Sequence, residues 1–213
     1  TPVSTLNMAC PSGIRSVALI AQEIMLGEIE VGLAGGFDSM SSIPYLIKGA
    51  RWDGFKMGNK VLEDGWSDSI DPLIGQGMGE TAENLYDKYK ISREKQDEFA
   101  VNSHLKASQA QKNGWFDEEI APVKIPATRK SPAFIFDKDE TIRHDIDLDK
   151  MAKIRPAFRK DGTVSAGNSC GLSDGATAII LTTRKKAAEL GIKPLFSLIS
   201  YAQTVVIPER MGE

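Results

Sequence analysis

Two stretches of this chain combine residue types that do chemistry. The first is Thr5-Leu6-Asn7-Met8-Ala9-Cys10-Pro11-Ser12-Gly13, which sets a single thiol where an extended segment turns into a helix. Thr1 to Asn7, with Val3, Thr5 and Leu6, reads as a buried strand. From Ser12 the apolar residues Ile14, Val17, Ala18, Ala21, Ile24 and Met25 recur at helical spacing. Pro11 suits a first helical turn, where its missing N–H costs nothing, and Gly27 is the stop signal. A sulfur at a helix N-terminus faces backbone N–H groups and the positive end of the dipole, which favour a thiolate. The same N–H groups can hold an oxyanion beside it. A lone cysteine beside an apolar segment is also commonly a small core residue, and the residue by itself leaves both readings open. The second stretch is the Gly-rich run from Asp161 to Gly175, which contains the chain's other cysteine, Cys170.

These residues sit in 213 residues of ordinary composition, 41% hydrophobic and 26% charged, enough for one large or two small domains with a sizeable core. A formal net charge of -3 leaves no footprint for nucleic acid or an anionic membrane. No apolar run is long enough to span a bilayer, and no signal peptide is visible. Two cysteines make no disulfide framework, so a reducing compartment is the expectation. No Cys/His spacing suggests a metal site. His104, on a helix among polar neighbours, reads as a surface residue.

The positioning elements follow from periodicity. Val31-Gly32-Leu33-Ala34 reads as a short buried strand, so residues 1–36 outline a strand-helix-strand unit. Leu19, Ile20 and Leu26 fall outside the main helical stripe, which predicts a helix buried on more than one side, between two sheets. From Ser39 to about Gly79 periodicity is lost, as in a long functional or partner-covered loop region. Helices are predicted over Met78–Lys88 and from Ser92 to about Lys112, the latter with a partial capping box and an Asn113-Gly114 stop. Short strands are expected in Ile120–Ile125 and Phe134–Phe136. After the Gly-rich run come a strand over Ala178–Thr182, a helix over Arg184–Leu190 and a strand over Leu195–Val206.

Taken in order, several of these segments resemble the thiolases, the acetyl-CoA acetyltransferases and 3-ketoacyl-CoA thiolases. Asn7-Met8-Ala9-Cys10-Pro11-Ser12-Gly13 resembles the family's nucleophile segment, and Ala34-Gly35-Gly36-Phe37-Asp38-Ser39-Met40-Ser41 its following strand end. Met78-Gly79-Glu80-Thr81-Ala82-Glu83-Asn84, Ser92 to Ala100, Phe116-Asp117-Glu118-Glu119-Ile120, Arg155-Pro156-Ala157-Phe158 and Gly162 to Ala176 complete the set. The resemblance implies an incomplete, layered α/β/α/β/α fold with an inserted α+β loop domain. Residues 1–40 and 164–192 would belong to the N-terminal half, 41–163 to a CoA-binding insertion and 193–213 to the start of a C-terminal half. The family's Gly-His-Pro histidine, its Cys-x-Gly-Gly-Gly cysteine and its Asn-Glu-Ala-Phe asparagine have no counterpart here, so the chain reads as an internal fragment that alone turns over negligibly.

The same resemblance implies reversible Claisen condensation and thiolysis of acyl-CoA through an acyl group on Cys10, two acetyl-CoA giving acetoacetyl-CoA and CoA. It places Arg143 near the nucleotide end of CoA, where a guanidinium suits a phosphate or a stacked adenine. It places Phe158 on the pantetheine and adenine wall, Ala166 with its backbone toward the pantetheine amide, and Met78 beside the acyl chain. Cys170 stands where many relatives have a serine that bonds pantetheine, and a thiol is the poorer donor. Lys150, Gly77 and Pro11 also depart from common family residues, which weakens acetoacetyl specificity. The implied partners are acyl-CoA substrates and further copies of the chain, as homodimer or homotetramer. No cofactor beyond the thioester substrate is implied, and the compartment is the cytoplasm, or a mitochondrial or peroxisomal matrix. A ketoacyl synthase-like condensing enzyme and a non-catalytic CoA-binding or assembly module are the alternatives.

Overall fold

The computed structural model describes residues 2–66 and 73–213. The chain falls into two compact units, one made of Thr1–Ser67 with Leu172–Val205, the other of Asp68–Gly171 with Val206–Glu213.

In the first unit, helix α1 (Ser12–Leu26) ends as its sequence demands. Gly27 adopts φ +76°, and its N–H and the next turn to the Glu23 and Ile24 carbonyls. Strand β1 (Val31–Asp38) follows and pairs antiparallel with β6 (Gly175–Thr182), Val31 opposite Thr182 and Asp38 opposite Gly175. Side chains alternate along β1, so Gly32 and Ala34 are buried while Leu33 is exposed. The buried face lies under α1. A Cβ on Gly32 would overlap Ile20 of the helix, and one on Gly35 would overlap the Thr177 carbonyl of the paired strand. Glycine is what allows both approaches. Helix α6 (Arg184–Glu189), capped by the Thr183 hydroxyl, completes the unit's regular structure together with the short pieces β2 (Tyr45–Leu46), α2 (Ala50–Asp53) and β3 (Glu63–Asp64). The rest of the unperiodic stretch includes residues 67–72, outside the described residues.

Three expectations for this unit are corrected. Pro2–Asn7 forms no strand, so the strand-helix-strand outline lacks its first member. Leu195–Val206 forms no strand either. Both segments have strand-like residues, but a strand exists through inter-strand bonds, and neither segment finds a ladder partner among the described residues. Third, α1 is covered on one side only. Ala18 is buried, whereas Ile14 and Leu26 are 77% and 74% exposed. Off the main stripe, Ile20 lies against Gly32 of β1 and Leu26 is exposed, and among the described residues no second sheet covers the helix.

The second unit is built on α3 (Met78–Tyr89) and α4 (Arg93–Lys112). Ser92 caps α4, its hydroxyl accepting from the Lys95 N–H, and Gly114 at φ +70° follows the helix end at Asn113. The hairpin β4 (Val123–Ile125) and β5 (Phe134–Phe136) pairs Val123 with Phe136. Helix α5 (Leu148–Ala152) is capped by Asp147, which accepts from the Lys150 N–H at 2.7 Å. Met151 of α5 is the most deeply buried large apolar side chain of the unit, at 1% exposure.

Candidate active site

Cys10 occupies an elbow, directly before Pro11, the N-cap of α1. The turn is made by Ala9, which holds φ +55°, a left-handed conformation uncommon for a residue with a Cβ. Short bonds over-determine it. The Ala9 N–H donates to Asn7 Oδ1 at 2.8 Å. The Ser12 hydroxyl donates to the Ala9 carbonyl at 2.7 Å and accepts from the Met8 N–H at 2.8 Å. The Ser12 N–H also reaches the Ala9 carbonyl, at 3.1 Å. Cys10 is thereby presented as an exposed free thiol at the start of a fifteen-residue helix whose first turn has no acidic side chain to compete with an anion. The helix start is tied to the sheet by Ser16. Its hydroxyl donates to the Gly13 carbonyl at 2.7 Å and accepts from the Gly35 N–H at 3.1 Å.

At the end of β1 the chain is fixed by Asp174, just before β6. Its carboxylate accepts from the Ser41 N–H at 2.8 Å and from the Ser41 hydroxyl at 2.6 Å. Those bonds, the hydroxyl first, hold the Asp174 carboxyl below its usual range.

In the second unit the residues assigned by resemblance to CoA fall into two groups. Met78 opens α3, and the Phe158 ring lies on Gly79, where any Cβ would overlap the ring. The Phe158 segment runs antiparallel to the Gly-rich run, with the Ala157 N–H donating to the Val164 carbonyl at 2.9 Å and a bridge between Pro156 and Ser165. The Phe158 segment thus meets α3 beside Met78 and pairs with the run that carries Ala166, which is exposed. Cys170, also exposed and free, is four residues further on. Arg143 is elsewhere, exposed, in a turn held against α4, where its N–H donates to His104 Nδ1 at 3.2 Å. Lys150, which departs from the common family residue, bonds the Asp145 carbonyl and carboxylate. These contacts, the side-chain bond first, raise Lys150 and lower Asp145 from their usual values.

Sequence reasoning missed what holds the Gly-rich run. Glu83 on α3 is fully buried, and its carboxylate accepts from the N–H groups of Thr163 and Val164, both at 2.8 Å. A carboxylate away from water is tolerable when several N–H donors satisfy it. Gly162 completes the fit, since a Cβ there would overlap Glu83. Asn168 closes the loop on itself, donating to the Thr163 carbonyl and to Asp97 Oδ1, both at 3.0 Å, and accepting from the Ser165 N–H at 2.8 Å. Asp97 pairs with Arg93 at 2.7 Å, and Arg93 reaches the Met151 and Ile154 carbonyls. One signal was present: Glu83, Asp97 and Asn168 all lie inside the quoted motifs, as charged or amide residues among small ones.

Comparison with known proteins agrees with this architecture. The family model described as thiolase, N-terminal domain, matches residues 1–185. An acetyl-CoA acetyltransferase of Chromobacterium violaceum is 49% identical over 214 residues, covering 100% of this chain and 54% of that protein. The crystal structure of the Bacillus anthracis acetyl-CoA acetyltransferase superposes with a TM-score of 0.87 at 43% identity, over 95% of this chain and 51% of that one. Human mitochondrial 3-ketoacyl-CoA thiolase gives 0.83 at 39% identity, over 92% and 49%. The fold is that of a partial thiolase domain, in which a cysteine elbow is built by local hydrogen bonds and a Gly-rich loop is held by the distant Glu83 of α3. The chain belongs to the thiolase family. It spans about half the length of the relatives it matches.

Proposed function

We propose that the protein carrying this chain is an acyl-CoA C-acyltransferase that works through an acyl group on Cys10. The observation that carries the reading is the elbow itself, an exposed thiol at a helix start with its backbone locked in a strained turn. The Cys10 sulfur attacks a thioester carbonyl, and CoA leaves as its thiol, taking the proton. In condensation, the α-carbon of a second acyl-CoA, having lost a proton, attacks the acyl-Cys10 carbonyl. The carbon–sulfur bond breaks, the thiol of Cys10 is regenerated and a 3-ketoacyl-CoA departs. Thiolysis is the reverse. With acetyl-CoA as both donor and acceptor the products are acetoacetyl-CoA and CoA.

On this reading residues 41–163 are the CoA-holding insertion, between the two stretches 1–40 and 164–192 of the N-terminal half. Arg143 meets the nucleotide end, Phe158 forms part of the pantetheine and adenine wall, Ala166 and Cys170 face pantetheine, and Met78 borders the acyl chain. The thioester is substrate, and the reading needs no metal or prosthetic group. The 213-residue chain alone has no counterpart of the family's activating histidine or second cysteine, so by itself it binds and at most acylates slowly. Among the described residues no helix is long and apolar enough to cross a membrane. An aqueous compartment such as the cytoplasm, and a homodimer or homotetramer, complete the proposal. The matched family model favours a thiolase over a ketoacyl synthase-like enzyme.

The test is mass spectrometry of the whole protein quenched after exposure to acetyl-CoA. One acetyl group on the peptide containing Cys10, absent in Cys10→Ser, is the expected result. Unmodified Cys10 alongside acetyl transfer to another residue would sink the assignment.

A further inference from the structure

The chain has two histidines, His104 and His144, and both act on the turn that carries Arg143. His104 is on α4, half-buried, and its Nδ1 accepts the Arg143 N–H at 3.2 Å. His144 is the next residue of the turn, and its Nδ1 lies 2.7 Å from the hydroxyl of Ser108, which is on α4 and 3% exposed. His104 and Ser108 are one helical turn apart, on the face that also buries Asp97 and Val101. Residues 141–147 form no helix or strand, so no backbone ladder fixes this turn. Two side chains from one helix face therefore fix two consecutive residues, and the Arg143 guanidinium is left exposed on a held backbone. For Nδ1 of His104 to accept, the ring proton must be on Nε2.

We propose that His104 is a positioning residue for the nucleotide end of coenzyme A, acting through the Arg143 backbone. The proposal rests on the reading of Arg143 as a CoA contact. A guanidinium on a fixed backbone loses less freedom when it engages a phosphate or an adenine ring, so the contact is stronger than the same arginine would make on a loose turn. Asparagine at 104 places its amide oxygen at the reach of Nδ1 and can replace the acceptor. Glutamine matches Nε2 instead and cannot.

The experiment uses the whole protein and compares KM for acetyl-CoA with KM for acetyl-pantetheine, which lacks the nucleotide. We expect His104→Gln to raise KM for acetyl-CoA by about fivefold, the worth of one hydrogen bond. The KM for acetyl-pantetheine should not follow, and His104→Asn should restore the acetyl-CoA value. Arg143→Ala is the reference. If it raises KM for acetyl-CoA while His104→Gln does not, the positioning role is wrong and the CoA reading of Arg143 stands. If Arg143→Ala also leaves KM for acetyl-CoA unchanged, that CoA reading fails and the proposal with it. Equal rises for both substrates in His104→Gln would mean a general packing defect and would also overturn it.

Discussion

Ala9 carries the strain of the site. Its φ of +55° places a Cβ where L-residues crowd their own carbonyl, and four hydrogen bonds from Asn7, Ser12 and the helix start keep it there. The consequence is a sulfur held at the tip of a turn and not folded back into the helix. Branching at this Cβ raises the crowding. Ala9→Val is expected to destabilise the protein by about 1–3 kcal/mol, whereas Ala9→Gly should be neutral or slightly stabilising; urea denaturation of both variants measures the difference. A slower acylation of Cys10 in Ala9→Val, at full denaturant-corrected folding, would show that the turn also aims the thiol. Glu83 and Gly162 show the same economy at a second place, where a missing Cβ makes room for a buried carboxylate that two backbone N–H groups satisfy. His104, a surface residue by its sequence neighbours, gains its role only from the turn that folds onto α4.

At the scale of elements, the sheet and helix of the first unit meet because β1 is rich in glycine where α1 and β6 come close. The ends of β1 and β6 are joined by Asp174 and Ser41 rather than by further ladder bonds. Since those bonds depress the Asp174 carboxyl in the folded state, its contribution to stability is complete above its usual value of 3.8 and is lost as pH falls through the lower folded value. A profile of melting temperature against pH should therefore fall on its acid side in the parent protein, and the fall should be shallower in Asp174→Asn. Identical acid limbs in the two proteins would show that the pair is not formed in solution. In the second unit, α3, α4 and α5 present Glu83, Asp97 and Met151 to the same Gly-rich loop; Asn168 of that loop bonds Asp97, and Arg93 of α4 bonds the Met151 carbonyl of α5. A loop with many glycines becomes a defined surface because helices, not its own propensity, hold it.

At the scale of the whole molecule, much apolar surface is exposed. Phe37 of β1 is 85% exposed, and Leu195 and Ile199 of the unpaired segment are 94% and 91% exposed. On the proposed reading of a homo-oligomer, such side chains are where further protein would pack. On the proposed reading the chemistry is likewise unfinished within these 213 residues, because Cys10 has no histidine base assigned to it. We expect the isolated 213-residue chain to show no acetoacetyl-CoA thiolysis above background, against ready turnover by the whole protein in the same assay. Comparable rates would mean that the residues described here suffice, and that the general base has been misplaced.

Much of the fold was legible in the sequence. Helix ends are decided within about four residues, so Gly27, Ser92 and Asn113-Gly114 marked α1 and α4 without reference to the rest of the molecule. The elbow before α1 and the motifs that led to the thiolase family are likewise local strings of residues. Strands were a different matter. Val31–Asp38 and Gly175–Thr182 are strands because each finds the other across more than a hundred residues, while Pro2–Asn7 and Leu195–Val206, with equally suitable residues, find no ladder partner among the described residues. Nor could spacing reveal that Glu83 would be buried against Thr163 and Val164, or that both histidines would close on the Arg143 turn. Caps and periodicity act on neighbours along the chain, whereas ladders, buried carboxylates and pinned turns need groups that only tertiary folding brings within bonding distance.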